Sequence, residues 1–214
     1  MAQVLAVPGI VRHGFSYIGQ FNHDFGRITG IAASIKGNIL LCDYVKKNLI
    51  LVDHLGNVLR KLDVDSEPYD LAITNVPNNY RQIGSCVVRF HAVNEQSCIS
   101  CIGGQNYITL KEAWECPNKI CDIGTMDTPT DICSDDYGHI YVSGQGSNNI
   151  HRLTDAMEKI RKKYYCEQDW KVLDIPLDAQ HGIKEPVALC FNQDFSKLYI
   201  VNEWGKFVLV FDVV

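Results

Sequence analysis

A recurring pattern of apolar and polar residues constrains this chain more than any other feature of its sequence. Copies of the pattern begin at Ile28, Pro129 and Pro186, and a weaker copy begins at Pro68. Each clear copy contains a short apolar run, a polar turn, and two further runs rich in β-branched and aromatic residues. Internal repetition on this scale is typical of solenoids, propellers and other repeat architectures. Loops of about five residues between the later runs favour hairpin connections.

The order of the runs within a copy indicates which repeat architecture they form. The first run is almost wholly apolar, as expected for a strand that is buried on both faces. In the first copy, Gly56-Asn57 predicts a turn into a run whose Arg60 and Lys61 suit an outer, solvent-facing strand. Four strands per unit, with the innermost strand the most apolar, describe a propeller blade. The sequence therefore predicts an all-β fold, a β-propeller of four-stranded blades.

The copies also delimit the blades approximately. We expect one propeller domain over 1–214, with blade-like units at about 15–64, 66–110, 126–180 and 183–214. At about 40–45 residues per blade, the chain has room for five blades at most, and two long intervals between copies reduce the countable number to about four, so the ring is incomplete or shortened relative to one of about six blades. Because an open ring exposes apolar blade faces, we expect a fragment or shortened version of a larger propeller; the alternatives are self-association with a second copy and closure as an unusually small ring. The composition of 155–165 predicts a short surface helix between the third and fourth strands of its blade.

Several segments resemble a known family of propellers. The runs 130–143 and 147–153, and the segment 15–21 ahead of the first copy, resemble NHL-repeat propellers. The resemblance is closest to the C-terminal propellers of tripartite-motif (TRIM) proteins, especially the expanded mollusc-type set, whose last blade is similar to 182–190. It implies a non-catalytic interaction platform within the ubiquitin pathway, because such propellers recruit protein substrates or RNA while an N-terminal RING zinc domain carries the ligase.

The zinc domains of that family are expected to be absent. A RING or B-box needs closely spaced Cys and His ligands ahead of the propeller, and no cysteine precedes Ile28. We therefore expect the propeller alone, without enzymatic activity. The sequence also lacks a Gly-x-Ser-x-Gly elbow and a kinase-type glycine loop, and its histidines show no pairing with a nucleophile, so no catalytic residue is predicted.

The loops of a propeller predict where partners bind. Loops between the second and third strands should cluster on one face, together with the loops that lead into each inner strand. Exposed aromatic residues beside Lys and Asn have the composition of an interaction surface. We predict that this face binds protein partners; the alternative is that Tyr69 and Trp204 merely pack between blades. The predicted face residues are Tyr44, Lys46, Lys47, Tyr69, Asn148, Asn149, Trp204 and Lys206.

Charge and hydropathy bear on the class of partner. The formal net charge is −5, so there is no global attraction to nucleic acid or anionic membrane. The local run Lys159–Lys163, followed by Tyr164 and Tyr165, combines basic and aromatic residues that can contact RNA; its alternative is a solvated helix face. RNA binding is therefore the second hypothesis. No run approaches the ~20 apolar residues that cross a bilayer, and no secretory signal is evident, so we expect a cytoplasmic protein with no membrane partner.

The nine cysteines contain one group with approximate zinc-ligand spacing. Its members are Cys98, Cys101, Cys116 and Cys121. The second pair is too loose for a zinc ribbon, and the alternative is reduced thiols with structural or surface positions. Cys42, Cys133 and Cys190 lie in apolar runs, where a free thiol behaves as a small hydrophobe.

Two carboxylates suggest a different metal. Asp70 and Asp131 begin equivalent inner strands, and acidic rings in propeller channels bind Ca²⁺ in lactonase-like hydrolases. Two carboxylates are few for such a ring, so acceptance of backbone N–H bonds is the preferred interpretation. We expect no metal and no other cofactor. A calcium-dependent hydrolase is the third hypothesis.

Overall fold

The described residues fold into four antiparallel sheets of four strands each. The structure is a computed structural model that describes residues 13–34, 37–70, 87–92, 97–102, 106–112, 119–155 and 170–214. Repeated four-stranded sheets confirm the all-β propeller prediction, with about four blades. Helical structure in these ranges consists of two 3-10 turns, Ala179–His181 and Glu203–Gly205. No helix among the described residues is long enough and apolar enough to span a membrane.

The strands follow the chain in blades. An N-terminal strand, β1 (Phe15–Phe21), comes first. Blade 1 contains β2 (Ile28–Ala33), β3 (Ile39–Asp43), β4 (Asn48–Val52) and β5 (Val58–Asp63). Blade 2 contains β6 (Val87–Ala92), β7 (Ser97–Ile102), β8 (Tyr107–Glu112) and β9 (Lys119–Asp122). Blade 3 contains β10 (Pro129–Ser134), β11 (Ile140–Gly144), β12 (Asn149–Asp155) and β13 (Trp170–Leu177). Blade 4 contains β14 (Ala188–Phe191), β15 (Lys197–Asn202), β16 (Phe207–Val213) and β1.

The outer strand of blade 4 comes from the other end of the chain. β1 pairs antiparallel with β16, from Phe15 opposite Val213 to Phe21 opposite Val208. The sequence-based boundary that placed β1 with the first unit is therefore corrected. The physical reason is that β16 presents an outer edge whose backbone N–H and C=O groups need hydrogen-bonding partners, and β1 supplies them. The second unit also extends through β9, beyond the predicted limit at residue 110.

The blades pack through their inner strands. These lie next to one another in the order β6, β10, β14 and β2. Three clusters of buried aliphatic and aromatic side chains fill the spaces between blades 2 and 3, 3 and 4, and 4 and 1. A hydroxyl at the start of two inner strands adds a polar link: Thr29 donates to the carbonyl of Pro68 at 3.1 Å and Thr130 to that of Pro186 at 3.0 Å. Thus each of these inner strands is tied to the segment that leads into another blade.

Two further predictions concern segments around these strands. The insertion in blade 3 lies between β12 and β13, its third and fourth strands, as predicted. Residues 156–169, which hold nearly all of the predicted helix, lie outside the described residues.

Of the thiols expected in apolar surroundings, Cys42 and Cys133 are buried and Cys190 is half-buried. Burial raises the pKa of the Cys133 and Cys190 thiols, which keeps both protonated.

Candidate interaction face

Two kinds of loop lie together on one face of the propeller. In each case, a loop between the second and third strands donates a backbone hydrogen bond to the loop that leads into an inner strand. Tyr44 N bonds to Arg27 O at 2.9 Å, Gln145 N to Thr128 O at 2.9 Å, and Glu203 N to Lys184 O at 2.8 Å. We call this surface the loop face, which comprises 22–27, 44–47, 64–70, 123–128, 145–148, 182–187 and 203–206.

Side chains at the ends of the second strands hold these loops in place. Asp43, the last residue of β3, is fully buried, and its carboxylate accepts backbone N–H bonds from residues 26, 27 and 46 at 2.8–3.1 Å. Asn202, at the same place in β15, accepts from Lys184 N at 2.8 Å and donates to Gly182 O at 3.0 Å. A short polar side chain at this position therefore fixes the backbone of the loop face.

Three aromatic residues and one arginine lie on this face as two contacting pairs, which a backbone hydrogen bond between residues 27 and 44 joins. The guanidinium of Arg27 lies over the ring of Trp204, with its central carbon 4.9 Å from the ring centroid. The ring of Tyr44, whose backbone N–H bonds to Arg27, meets the ring of Tyr69 edge-on at 6.3 Å. Trp204 is 44% exposed and Tyr69 is 52% exposed. We call these four residues the aromatic–arginine patch; it extends from blade 4 across blade 1 to the segment leading into blade 2.

The loop that carries Trp204 has an unusual backbone. Glu203, Trp204 and Gly205 all have positive φ, at 49°, 57° and 91°. Positive φ in a bulky residue is an outlier, which persists where the surroundings hold it and which clusters at functional sites. Gly205 packs directly on the backbone of Ile28, so a Cβ there would lie 2.5 Å from Ile28 N. The Trp204 loop therefore packs directly against the inner strand of blade 1, and this contact leaves no space for a side chain at residue 205.

Most lysines of the loop face are already paired with carboxylates. Lys46 bonds to Asp24 at 2.8 Å, Lys47 to Glu67 at 2.9 Å, and Lys184 lies 3.8 Å from Glu203. The hydrogen bond and charge of Lys46 lower the pKa of the Asp24 carboxyl, and Lys47 does the same for the pKa of Glu67. Within the described residues, Arg27 and Lys206 form no ion pair. Arg27 Nε is also buried without a hydrogen-bond partner.

The structure separates the eight predicted face residues into two groups. Tyr44, Lys46, Lys47, Tyr69, Trp204 and Lys206 lie on the loop face with exposed or half-buried side chains. Asn148 also lies on the loop face with a half-buried side chain, but both asparagines use their side chains in hydrogen bonds within the fold. Asn148 Oδ1 accepts from Glu185 N at 2.7 Å, which ties blade 3 to the segment leading into blade 4. Asn149 is buried, and its side-chain oxygen accepts from the Ser147 hydroxyl at 2.7 Å.

Arg27 is the patch residue that the sequence analysis missed. It directly precedes an inner strand, and the equivalent positions before the other copies hold Glu67, Thr128 and Glu185. A basic residue where two other copies have an acid is a visible signal once the copies are aligned on their inner strands. The signal was overlooked because the residue lies outside the loops between second and third strands that supplied most of the predicted set.

The candidate metal ligands have other roles or lie outside the described part of the chain. Asp131 accepts backbone N–H bonds from Ile132 and from Leu189 of blade 4, both at 2.8 Å, as preferred for a carboxylate at that position. Asp70 is exposed. Within the described ranges, no group of three or more His, Cys, Asp or Glu residues is arranged to hold a metal ion. Cys116 and the basic run 159–163 lie outside those ranges, as do the side chains of the other cysteines with zinc-like spacing.

A buried polar network lies beside the start of β1, where blade 3 meets blade 4. Arg152 is 3% exposed, bonds to both carboxylate oxygens of Asp174 at 2.8 and 2.5 Å, and donates to the carbonyl of His13 at 2.6 Å. Asp135 accepts from the Tyr141 hydroxyl at 3.0 Å and lies 2.8 Å from His139 Nδ1. Burial alone would raise the pKa of Asp135, but the hydrogen bonds from His139 outweigh it and lower that pKa. Burial raises the pKa of Tyr141. These bonds anchor the beginning of β1 to blade 3.

Comparison with known proteins gives fold neighbours and no family. No protein-family model and no curated protein matches the sequence. A streptogramin B lyase structure is 13% identical with a TM-score of 0.35, over 91% of this chain and 58% of that chain. The virginiamycin B lyase from Staphylococcus aureus is 13% identical with a TM-score of 0.36, over 91% and 59%. A protein of unknown function from Bacteroides caccae is 11% identical with a TM-score of 0.45, over 83% and 71%. This chain therefore spans less than two thirds of the length of the lyases, and the similarity concerns the fold alone.

Proposed function

We propose that this chain is a non-catalytic propeller scaffold that binds protein partners through its loop face. The observation that carries the proposal is the aromatic–arginine patch, in which side chains from four loops contact one another in two pairs, with Trp204 and Tyr69 exposed and the other two half-buried. Trp, Tyr and Arg are the residue types that most often dominate binding energy at protein interfaces. An exposed cluster of them on one face marks that face as an interaction site.

The backbone of the loop face supports the same proposal. Its loops are held by hydrogen bonds from Asp43 and Asn202, and the Trp204 loop is pressed onto Ile28. Loops that are fixed before binding lose less conformational entropy when a partner docks. A rigid scaffold that displays short loops is the usual way in which repeat folds recognise other molecules.

The place of this scaffold in a larger system is part of the proposal. The resemblance of its blades to NHL propellers of TRIM proteins suggests that it supplies substrate recognition in a cytoplasmic ubiquitin-ligase system. A RING domain elsewhere would then carry the ligase chemistry. We propose no reaction for the chain itself. Among the described residues, the acid–base side chains around Asp135 and Arg152 are buried and bonded to one another, and Arg152 also bonds to the carbonyl of His13, just before β1.

The proposal is tested by quantitative capture of binding proteins with two matched double variants. Trp204→Ala with Tyr44→Ala removes two rings from the loop face. Tyr17→Ala with Tyr137→Ala removes two tyrosines that are 54% and 52% exposed and lie off that face. We expect the first variant to lose its partners, with affinity reduced at least ~10-fold because interface aromatics often contribute ~2 kcal/mol or more each. The second variant should retain them; full retention by the loop-face variant would refute the proposed face.

A further inference from the structure

We propose that the partner segment bound by the loop face is an acidic peptide. In this arrangement, an Asp or Glu carboxylate of the peptide pairs with Arg27, and an adjacent apolar side chain packs on Trp204 and Tyr69. The inference rests on the proposed function and specifies the chemistry of its ligand. It depends on three features of the aromatic–arginine patch: the state of the arginine, the pairing of the surrounding charges, and the exposure of the rings.

Arg27 is a half-buried cation that no carboxylate of the described residues neutralises. Its Nε is buried without a partner, so a ligand binds through the terminal Nη groups. The ring of Trp204 at 4.9 Å covers one side of the guanidinium and restricts its orientation. A planar guanidinium held in this way presents its remaining N–H groups as a fork that matches the two oxygens of a carboxylate. Such a pair gives orientation as well as binding energy.

The neighbouring charges favour a single carboxylate over a polyanion. Lys46, Lys47 and Lys184 are paired with Asp24, Glu67 and Glu203, so the rim of the patch carries both signs of charge. RNA binding relies on several phosphate contacts to lysine and arginine, and these three rim carboxylates would oppose closely spaced phosphates. A peptide with isolated acidic side chains can pair one carboxylate with Arg27, or with Lys206 on the same face, and keep its other residues away from the three rim carboxylates.

The rings define what accompanies the carboxylate. Trp204 and Tyr69 each keep about half of their surface exposed, at 44% and 52%, and the ring of Tyr69 is in edge-to-face contact with that of Tyr44. Aromatic faces of this kind bury apolar side chains at low entropic cost because the rings have few rotatable bonds. The geometry therefore points to peptides in which an acidic residue stands beside an aliphatic or aromatic one.

The test selects peptides without assuming a natural partner. The intact protein is used to pan a phage-displayed library of random dodecapeptides, and enriched peptides are synthesised with Asp and Glu or with Asn and Gln at their acidic positions. Fluorescence anisotropy then measures both forms against wild type, Arg27→Gln and Trp204→Ala. Arg60→Gln, on the exposed strand β5, and Tyr17→Ala, on β1, are matched controls for charge and ring loss. Thermal unfolding of each variant shows that it is folded.

We expect the enriched peptides to combine acidic and apolar residues. Wild type should bind the acidic form at least ~10-fold more tightly than the amide form, as a charge-assisted hydrogen bond implies. Arg27→Gln should weaken the acidic form by a similar factor and remove its advantage over the amide form, while Arg60→Gln changes neither. Arg27→Lys, which keeps the charge and loses the fork, serves as a second variant with an intermediate loss if Arg27→Gln is poorly folded.

Two other outcomes separate this inference from the proposed function. Peptides that lose affinity for Trp204→Ala but bind equally well to Arg27→Gln would overturn the acidic ligand and leave loop-face binding intact. Peptides indifferent to every loop-face substitution would overturn both. A parallel titration with structured RNA completes the test: tight binding with a steep dependence on salt and sensitivity to Arg27→Gln would assign the patch to nucleic acid and overturn the inference.

Discussion

His151 is buried in blade 3, where its neutral form is favoured over its protonated form. Its side chain is fully shielded from solvent, its Nε2 lies 2.8 Å from the Thr125 hydroxyl, and its Nδ1 has no partner. Burial lowers the pKa of this imidazole to about 4, compared with about 6.5 for an unfolded chain. Between pH 4 and pH 6.5, His151 is protonated in the unfolded chain but neutral in the folded chain, so protonation favours unfolding. The contribution of His151 to the free energy of unfolding is therefore fully present above about pH 6.5 and is lost as the pH falls toward 4.

We therefore predict that acidification from pH 7 to pH 5 costs about 2 kcal/mol of unfolding free energy through this residue. Urea unfolding of wild type and His151→Gln at both pH values measures it, because glutamine cannot titrate and should show a smaller loss. His54→Gln, at an exposed histidine, is the control and should retain the wild-type difference. Equal losses in wild type and His151→Gln would contradict the prediction.

The 3-10 turn that ends at Gly205 shows how one loop is fitted to a strand of the next blade. Gly205 ends one 3-10 turn and Gly182 directly follows the other, and both have positive φ, at 91° and 83°. Only Gly205 packs against another backbone. We predict that Gly182→Ala costs about 1 kcal/mol for the left-handed conformation alone. Gly205→Ala should cost about 3 kcal/mol, because the new methyl group also overlaps Ile28. Chemical denaturation of the two variants measures the difference, and similar losses would show that the Ile28 contact does not constrain the loop.

The elements themselves were largely predictable, because alternation and turn residues are local properties. The predicted turn at Gly56-Asn57 lies between β4 and β5, and β5, which carries Arg60 and Lys61, is exposed along its whole length as expected for an outer strand. The partner of β1 was not predictable in this way, since nothing in its own pattern distinguishes the edge of β16 from that of the first blade. Likewise, the sequence indicates that Asn148 lies in a loop, but it does not indicate that the side-chain oxygen accepts a hydrogen bond from Glu185 N.

At the scale of the whole molecule, the residues just before β1 and just after β16 bond to each other. Gly14 and Val214 exchange two backbone hydrogen bonds, at 2.8 and 3.0 Å, next to the β1–β16 ladder. β1 also reaches both neighbouring blades: Arg152 of blade 3 binds the carbonyl just before it, and Phe21 packs against the cluster between blades 4 and 1. β1 therefore adds contacts to the blade on each side of the one to which it belongs. The loop face depends on this link because Trp204 belongs to blade 4 and Arg27 belongs to the loop that follows β1.

We therefore predict that a chain starting at Asn22 is less stable and associates with itself. Without β1, the outer edge of β16 is unpaired, and an unpaired edge recruits strands from other copies. The unfolding midpoint should fall by at least about 5 °C, since a loss of a few kcal/mol shifts a domain of this size by that amount. Light scattering should show oligomers. An excess of the peptide 13–21 should restore the midpoint and the monomer by binding the open edge, whereas a scrambled peptide should not. A shortened chain that is monomeric and unchanged in midpoint would show that β1 does not hold the blades together.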